Sequence, residues 1–292
     1  YHGVGFGGIS VGGLSYNKNH FPLLTNVDHI CDTYNLEKNA FSKGQPDWGK
    51  ELADDLLRVI EKHGADQIAA FITEPVAGST GVLVPPKGYL ERIREICTEH
   101  DILLIFDEVI TGFGRLGTSF AADYFGVEPD MITCAKGLTS GTVPMGAVMV
   151  KQEIYSAFQD RDPKAIDLFH GYTYSAHPMA AAALIATLDV YREDGLFEHA
   201  NERSSYWENA LHSLKGTDPI IDIRNLGLVA GIEMEAKEGK PGTRGYDVFT
   251  NAFHNHDLLL RITGDTIALS PPLIAEKEHI DQIVDILRKI IS

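Results

Sequence analysis

From Gln67 to Val150 the chain alternates short apolar runs with amphipathic segments, and this alternation constrains the fold more than any other feature. Parallel strands buried on both faces are apolar throughout and need long crossovers between them. Ile68–Thr73 reads as one such strand, closed by Glu74-Pro75. After the small-residue loop Ala77-Gly78-Ser79-Thr80-Gly81, the stretch Gly88–His100 places Tyr89, Leu90, Ile93, Ile96 and Cys97 on one helical face. Ile102–Phe106, Met131–Cys134 and Gly146–Val150 read as further strands. The expectation is an α/β fold whose sheet is mainly parallel, with right-handed crossovers. Ligands of such sheets gather beyond the carboxyl ends of strands, where Glu74, Asp107 and Lys136 fall.

Further on, His177–Tyr191 reads as an Ala-rich helix and Phe197–Leu214 as another. A smaller unit follows, with strands at Ile220–Arg224, Leu228–Met234, Leu258–Ile262 and Thr266–Leu269, and a helix over Tyr246–His256. The last helix carries Ile280, Ile283, Val284, Leu287, Ile290 and Ile291 at helical spacing. Polar Glu235–Thr243 reads as a surface loop. The expected division is a large domain over 1–190, incomplete at its N-terminus, and a smaller α+β domain over 191–292. The glycine-rich run Gly3–Gly13 is expected to be a mobile loop near the site. It has no strand before it and makes a poor phosphate loop, so a preceding segment is expected to supply one.

With 41 acidic against 25 basic residues the formal charge is -16, which repels phosphate backbones and anionic membranes. Nucleic acid and membrane partners are therefore not expected, and no run approaches the roughly 18 apolar residues of a span. Cys31, Cys97 and Cys134 lack metal-ligand spacing and sit in apolar stretches, as reduced cysteines of a cytoplasmic enzyme do, and no metal is expected. An anionic ligand would need a locally positive pocket inside this negative field.

Chemistry concentrates at two strand ends. The run Ile102-Leu-Leu-Ile-Phe-Asp107-Glu108-Val109 closes a strand on two carboxylates, and the next strand closes on Ala135-Lys136-Gly137. A carboxylate there can keep a pyridine nitrogen protonated, and a partly desolvated lysine gains the lowered pKa that Schiff-base chemistry needs. Each alone equally suits a loop cap or a surface lysine.

The ensemble is more specific. Phe106-Asp107-Glu108-Val109 through Thr111-Gly112-Phe113-Gly114-Arg115, then Pro129-Asp130-Met131, Ala135-Lys136-Gly137 and Pro144-Met145-Gly146-Ala147, resembles the signature of class III pyridoxal-phosphate-dependent aminotransferases. Glu74-Pro75-Val76, Gly171-Tyr172-Thr173-Tyr174-Ser175 with His177-Pro178, and Gly264-Asp265-Thr266 extend the likeness over the whole chain, nearest to the ω-amino-acid:pyruvate (β-alanine:pyruvate) branch. The resemblance implies fold type I, the aspartate-aminotransferase-like architecture. It implies pyridoxal 5'-phosphate as cofactor and transfer of an amino group from an ω-amino acid or amine to pyruvate. Partners are then a small-molecule amino donor, a keto-acid acceptor and a second copy, as a homodimer or homotetramer with shared sites. A decarboxylase or aminomutase of the same fold, or a non-catalytic fragment, are the alternatives.

The resemblance also implies roles. Lys136 would carry the cofactor as a Schiff base and move the proton at the substrate α-carbon. Asp107 would pair with the ring nitrogen. Val109 and Tyr1 would flank the ring with His2 beside Tyr1, Glu74 would support the ring substituents or Asp107, and Thr173 would reach the phosphate of the neighbouring subunit. Two departures bear on substrate. Ala77-Gly78-Ser79 and Ile110 stand where many relatives have Gln-Gly-Glu and Gln, and Arg261 precedes Gly264-Asp265 where others place an arginine after it. Arg261 is thus expected to bind a substrate carboxylate and swing aside for an apolar donor.

Overall fold

The computed structural model describes residues 1–159, 164 and 168–291. Its first sheet runs in the order β1 (Ala70–Thr73), β2 (Leu103–Asp107), β3 (Met131–Cys134) and β4 (Ala147–Val150). The Tyr89–Glu99 helix returns the chain from β1 to β2, and Ala121–Phe125 lies between β2 and β3, so both pairings are parallel. The former helix buries all five residues that its periodicity selects, against Leu104 and Phe106 of β2.

The sheet is thus mainly parallel, as expected, and only β4 lacks a crossover, pairing antiparallel with β3. Only a short 3-10 turn, Lys136–Thr139, connects the two, and nothing there is long enough to carry the chain back along the sheet. The glycine-rich run is likewise not loop throughout. Phe6–Val11 forms a helix, with Ile9 and Ser10 buried and the Ser10 hydroxyl donating to the Phe6 carbonyl.

The second sheet is antiparallel, in the order β5 (Ile220–Leu226), β6 (Val229–Met234), β8 (Thr266–Leu269), β7 (Arg261–Thr263). Strand β7 starts later than its sequence suggests, because its register with β8 is set by the tight Thr263–Thr266 turn around Gly264. The Leu196–His212, Thr243–His256 and Lys277–Ile291 helices bury Trp207, Leu211, Val248, Ala252, Ile280, Val284 and Leu287 against it. This core continues into Phe113, Cys134 and Leu138 of the first half, and a smaller cluster joins Val76, Val82 and Leu116 to Leu226 and Val229. The two sheets are thereby held in fixed relation at the loops that follow β1, β2 and β3. Cys97 and Cys134 are buried, whereas Cys31, expected in an apolar setting, is exposed beside Asp55; all three are free thiols. Among the described residues no helix is long and apolar enough to cross a membrane.

Candidate active site

Parallel pairing puts Asp107, the last residue of β2, across from Thr133 of β3, and neighbouring strands lie about 4.8 Å apart. Lys136 follows just beyond Cys134, and Glu74 just beyond β1. Three strand ends therefore deliver three charged groups to one edge of the sheet.

Successive residues of an extended chain face opposite sides, and this separates the two carboxylates at 107 and 108. Asp107 Oδ2 lies 2.7 Å from His2 Nδ1, and its Oδ1 accepts from the Val109 N–H at 3.0 Å. Burial works against ionisation, but the His2 and Val109 hydrogen bonds outweigh it and hold the Asp107 carboxyl below its ordinary range. Glu108 is fully buried and turns away. It accepts from the Thr111 hydroxyl at 2.7 Å and from the N–H groups of Ala121 and Ala122 at 2.7 and 2.8 Å, capping the helix that begins at Ala121. Burial raises its pKa in spite of these donors.

Lys136 has a left-handed backbone, φ 46°, where an L side chain costs about 1–2 kcal/mol. The turn is held by Tyr191, whose hydroxyl donates to the Gly137 carbonyl at 2.7 Å. The lysine is exposed by surface area, yet the protein around its amine removes enough water to lower its pKa; Arg261 adds to the shift, while Glu74 and Asp107 oppose it. No hydrogen bond or ion pair engages the Lys136 amine among the described residues. Glu74 is occupied instead. Its Oε2 accepts from the Gly78 N–H at 2.9 Å. Arg261 reaches the Ser79 carbonyl through Nη2 at 3.5 Å, a long and weak contact, and Thr263 Oγ1 donates to the same carbonyl at 2.9 Å.

The residues expected from sequence thus divide. Asp107, His2, Val109, Glu74, Tyr1, Lys136 and Arg261 converge. Thr173 does not join them: it sits in an exposed loop between Tyr172 and Tyr174, which are 80% and 78% exposed. Sequence reading put His2 beside Tyr1 and missed its bond to Asp107; it also missed Tyr191 and Thr263, whose partners lie 54 and 184 residues away along the chain. Ile110 packs so closely that a Cβ on Gly78 would stand 2.5 Å from its Cδ1, so the two positions are coupled. No cluster of His, Cys, Asp or Glu suited to a metal occurs among the described residues.

The family model described as "Aminotransferase class-III" matches residues 1–291. The chain belongs to the class III aminotransferases. Among class III relatives, the omega-aminotransferase of Caulobacter vibrioides is 59% identical over 293 residues, covering 100% of this chain and 66% of that protein. The beta-alanine–pyruvate aminotransferase of Pseudomonas aeruginosa is 46% identical over 98% of the chain and 64% of its own length. The chain therefore spans slightly less than two thirds of the curated relatives it matches. A solved omega transaminase of Pseudomonas jessenii, in complex with PMP, superposes with a TM-score of 0.90 at 32% identity, covering 99% of this chain and 65% of that one.

Proposed function

We infer that this chain is the catalytic part of a pyridoxal-phosphate-dependent aminotransferase that passes an amino group from an ω-amino acid or amine to pyruvate, giving alanine and an aldehyde or ketone. The observation that carries this reading is the Lys136 amine, unengaged and lowered in pKa, beside an ionised Asp107 at the neighbouring strand end. The donor set suits the cofactor: an amine to hold its aldehyde carbon, and a carboxylate, with a second lone pair still open on each oxygen, for a protonated ring nitrogen. The names of the two relatives, one an omega-aminotransferase and one acting on β-alanine and pyruvate, support the substrate class.

When bound, pyridoxal phosphate supplies an electron-poor ring that takes up the electron pair released at an amine's α-carbon. Lys136 Nζ would hold the group and would move a proton between the substrate α-carbon and the cofactor carbon that carries the transferred nitrogen, in one direction for the donor and in the other for the acceptor. His2 and Val109 keep Asp107 charged, so that it holds the ring-nitrogen proton in place. Tyr1 and Val109 would border the ring, and Glu74 ties the end of β1 to the Gly78 loop. Arg261, lightly held, receives the carboxylate of pyruvate or of a β-alanine-like donor and gives way to an apolar one. Thr173, in its exposed loop, would serve the cofactor phosphate of a second subunit, which would make the active form at least a dimer. The domain division near residue 190 is part of the same reading.

The test uses the full-length enzyme with β-alanine, pyruvate and cofactor. Alanine should form, and Lys136→Ala should abolish both turnover and borohydride-dependent labelling by cofactor. Carbon dioxide release without alanine, or labelling that survives in Lys136→Ala, would overturn it.

A further inference from the structure

The loop that receives Arg261 is built against a buried charge cluster in the other sheet. Arg224 on β5 is 7% exposed, and its Nη1 donates to Asp222 Oδ2 and Glu233 Oε2, each at 2.6 Å. Its Nε points the opposite way and donates to the carbonyls of Gly81 and Val82, at 2.9 and 3.1 Å. Those carbonyls end the Ala77–Val82 loop, whose beginning is tied to Glu74 through Gly78 and whose middle presents the Ser79 carbonyl to Thr263 and Arg261. Gly231 of β6 makes room for the arrangement, since a Cβ there would stand 2.6 Å from the Gly81 oxygen.

The loop needs such a hold. Gly81 and Val82 both have positive φ, 113° and 60°, and for a β-branched residue that conformation persists only where the surroundings enforce it. A planar guanidinium is suited to the task, because its geometry lets one edge satisfy two carboxylates while another meets two carbonyls. The bridge Ala77↔Leu83 then closes the loop on itself.

We propose that Arg224 is a positioning residue for substrate specificity: by clamping the Gly81 and Val82 carbonyls it fixes Ser79, and thereby sets where the Arg261 guanidinium stands to receive a carboxylate. This rests on the reading of Arg261 given above, and it adds a determinant that touches neither substrate nor cofactor. Release of the clamp should let the Ser79 carbonyl drift and make Arg261 a poorer carboxylate receptor, with no change in Lys136 or Asp107.

Arg224→Lys separates the two edges. Its ammonium keeps a positive charge for Asp222 and Glu233 but is a point donor that cannot also reach two carbonyls in the opposite direction. Thr263→Val releases Ser79 from the other side without touching a buried charge, and serves if Arg224→Lys does not fold. In the full-length holoenzyme, either variant should lower kcat/KM for β-alanine about tenfold, mainly through KM, and leave an arylalkylamine donor within about twofold. Combined with Arg261→Ala, Arg224→Lys should cost β-alanine turnover nothing further, because the clamp acts through that arginine. Amide hydrogen exchange over residues 77–83 should quicken in Arg224→Lys, a readout independent of turnover. Equal loss for both donors, full additivity with Arg261→Ala, or unchanged exchange in the loop would each overturn the clamp. Failure of the parent enzyme to form alanine would overturn the aminotransferase reading while leaving the exchange result to judge the clamp.

Discussion

Asp107 and Glu108 are adjacent, both acidic and both buried, yet they engage different partners, and paired substitutions separate the roles proposed for them. Asp107→Asn keeps an oxygen for the Val109 N–H and can offer its amide to His2, so every neighbour retains a partner. Stability should then fall by about 1 kcal/mol, the difference between a charge-assisted and a neutral hydrogen bond. Turnover should suffer more. A charged hydrogen bond to the cofactor ring at the reacting centre contributes about 1.5–3 kcal/mol, and at about 1.4 kcal/mol per tenfold that is a loss of roughly 10- to 150-fold. Glu108→Ala should reverse the pattern. It strands the Ala121 and Ala122 N–H groups and the Thr111 hydroxyl in a buried site. At about 1–3 kcal/mol for each stranded group, partly relieved by relaxation, the expected destabilisation is about 3–5 kcal/mol. Urea unfolding of the full-length protein measures one quantity, and kcat/KM for β-alanine below the unfolding transition the other. Turnover by Asp107→Asn within about threefold of the parent, or unchanged stability in Glu108→Ala, would refute the division.

Other outcomes follow from the same site. Because the Lys136 pKa is lowered, its neutral, reactive form appears at lower pH than for an ordinary lysine; the rate of cofactor capture should rise with pH through a midpoint below the usual lysine range. Glu74→Gln removes a group that raises that pKa and should move the midpoint down, whereas Arg261→Ala should move it up; stopped-flow absorbance checks both directions. Arg261→Ala should weaken β-alanine and pyruvate by about 1.5–3 kcal/mol and spare arylalkylamines, and equal losses in single-turnover half-reactions would assign it a structural role. Mixing Thr173-damaged with Lys136→Ala subunits should restore one site per heterodimer, and fully active monomers in sedimentation would end the shared-site idea.

What sequence reveals here depends on how local its cause is. Strands β1 to β3 and the Tyr89–Glu99 helix follow from apolar runs and one helical face, and Asp107 and Lys136 stand out because the ends of parallel strands collect ligands. The direction of β4 was hidden, because apolar content does not encode direction and only the absence of a crossover helix decides it. The Phe6–Val11 helix was hidden by its glycines, whose low propensity is overridden where Ile9 and Ser10 become buried. Arg224 looks like any strand arginine until the fold brings Gly81 to it across 143 residues of chain.

The left-handed backbone at Lys136 sets chemistry against thermodynamics at a single position. Glycine would adopt φ 46° without a Cβ penalty, so the fold alone would prefer it there by about 1 kcal/mol. On the function proposed above, only the reaction demands a lysine. A library at residue 136 sorted for heat resistance alone should therefore drift toward glycine, and one sorted for amine transfer should return lysine. The gap between the two populations would measure how much stability natural selection has surrendered at this position to keep the enzyme working.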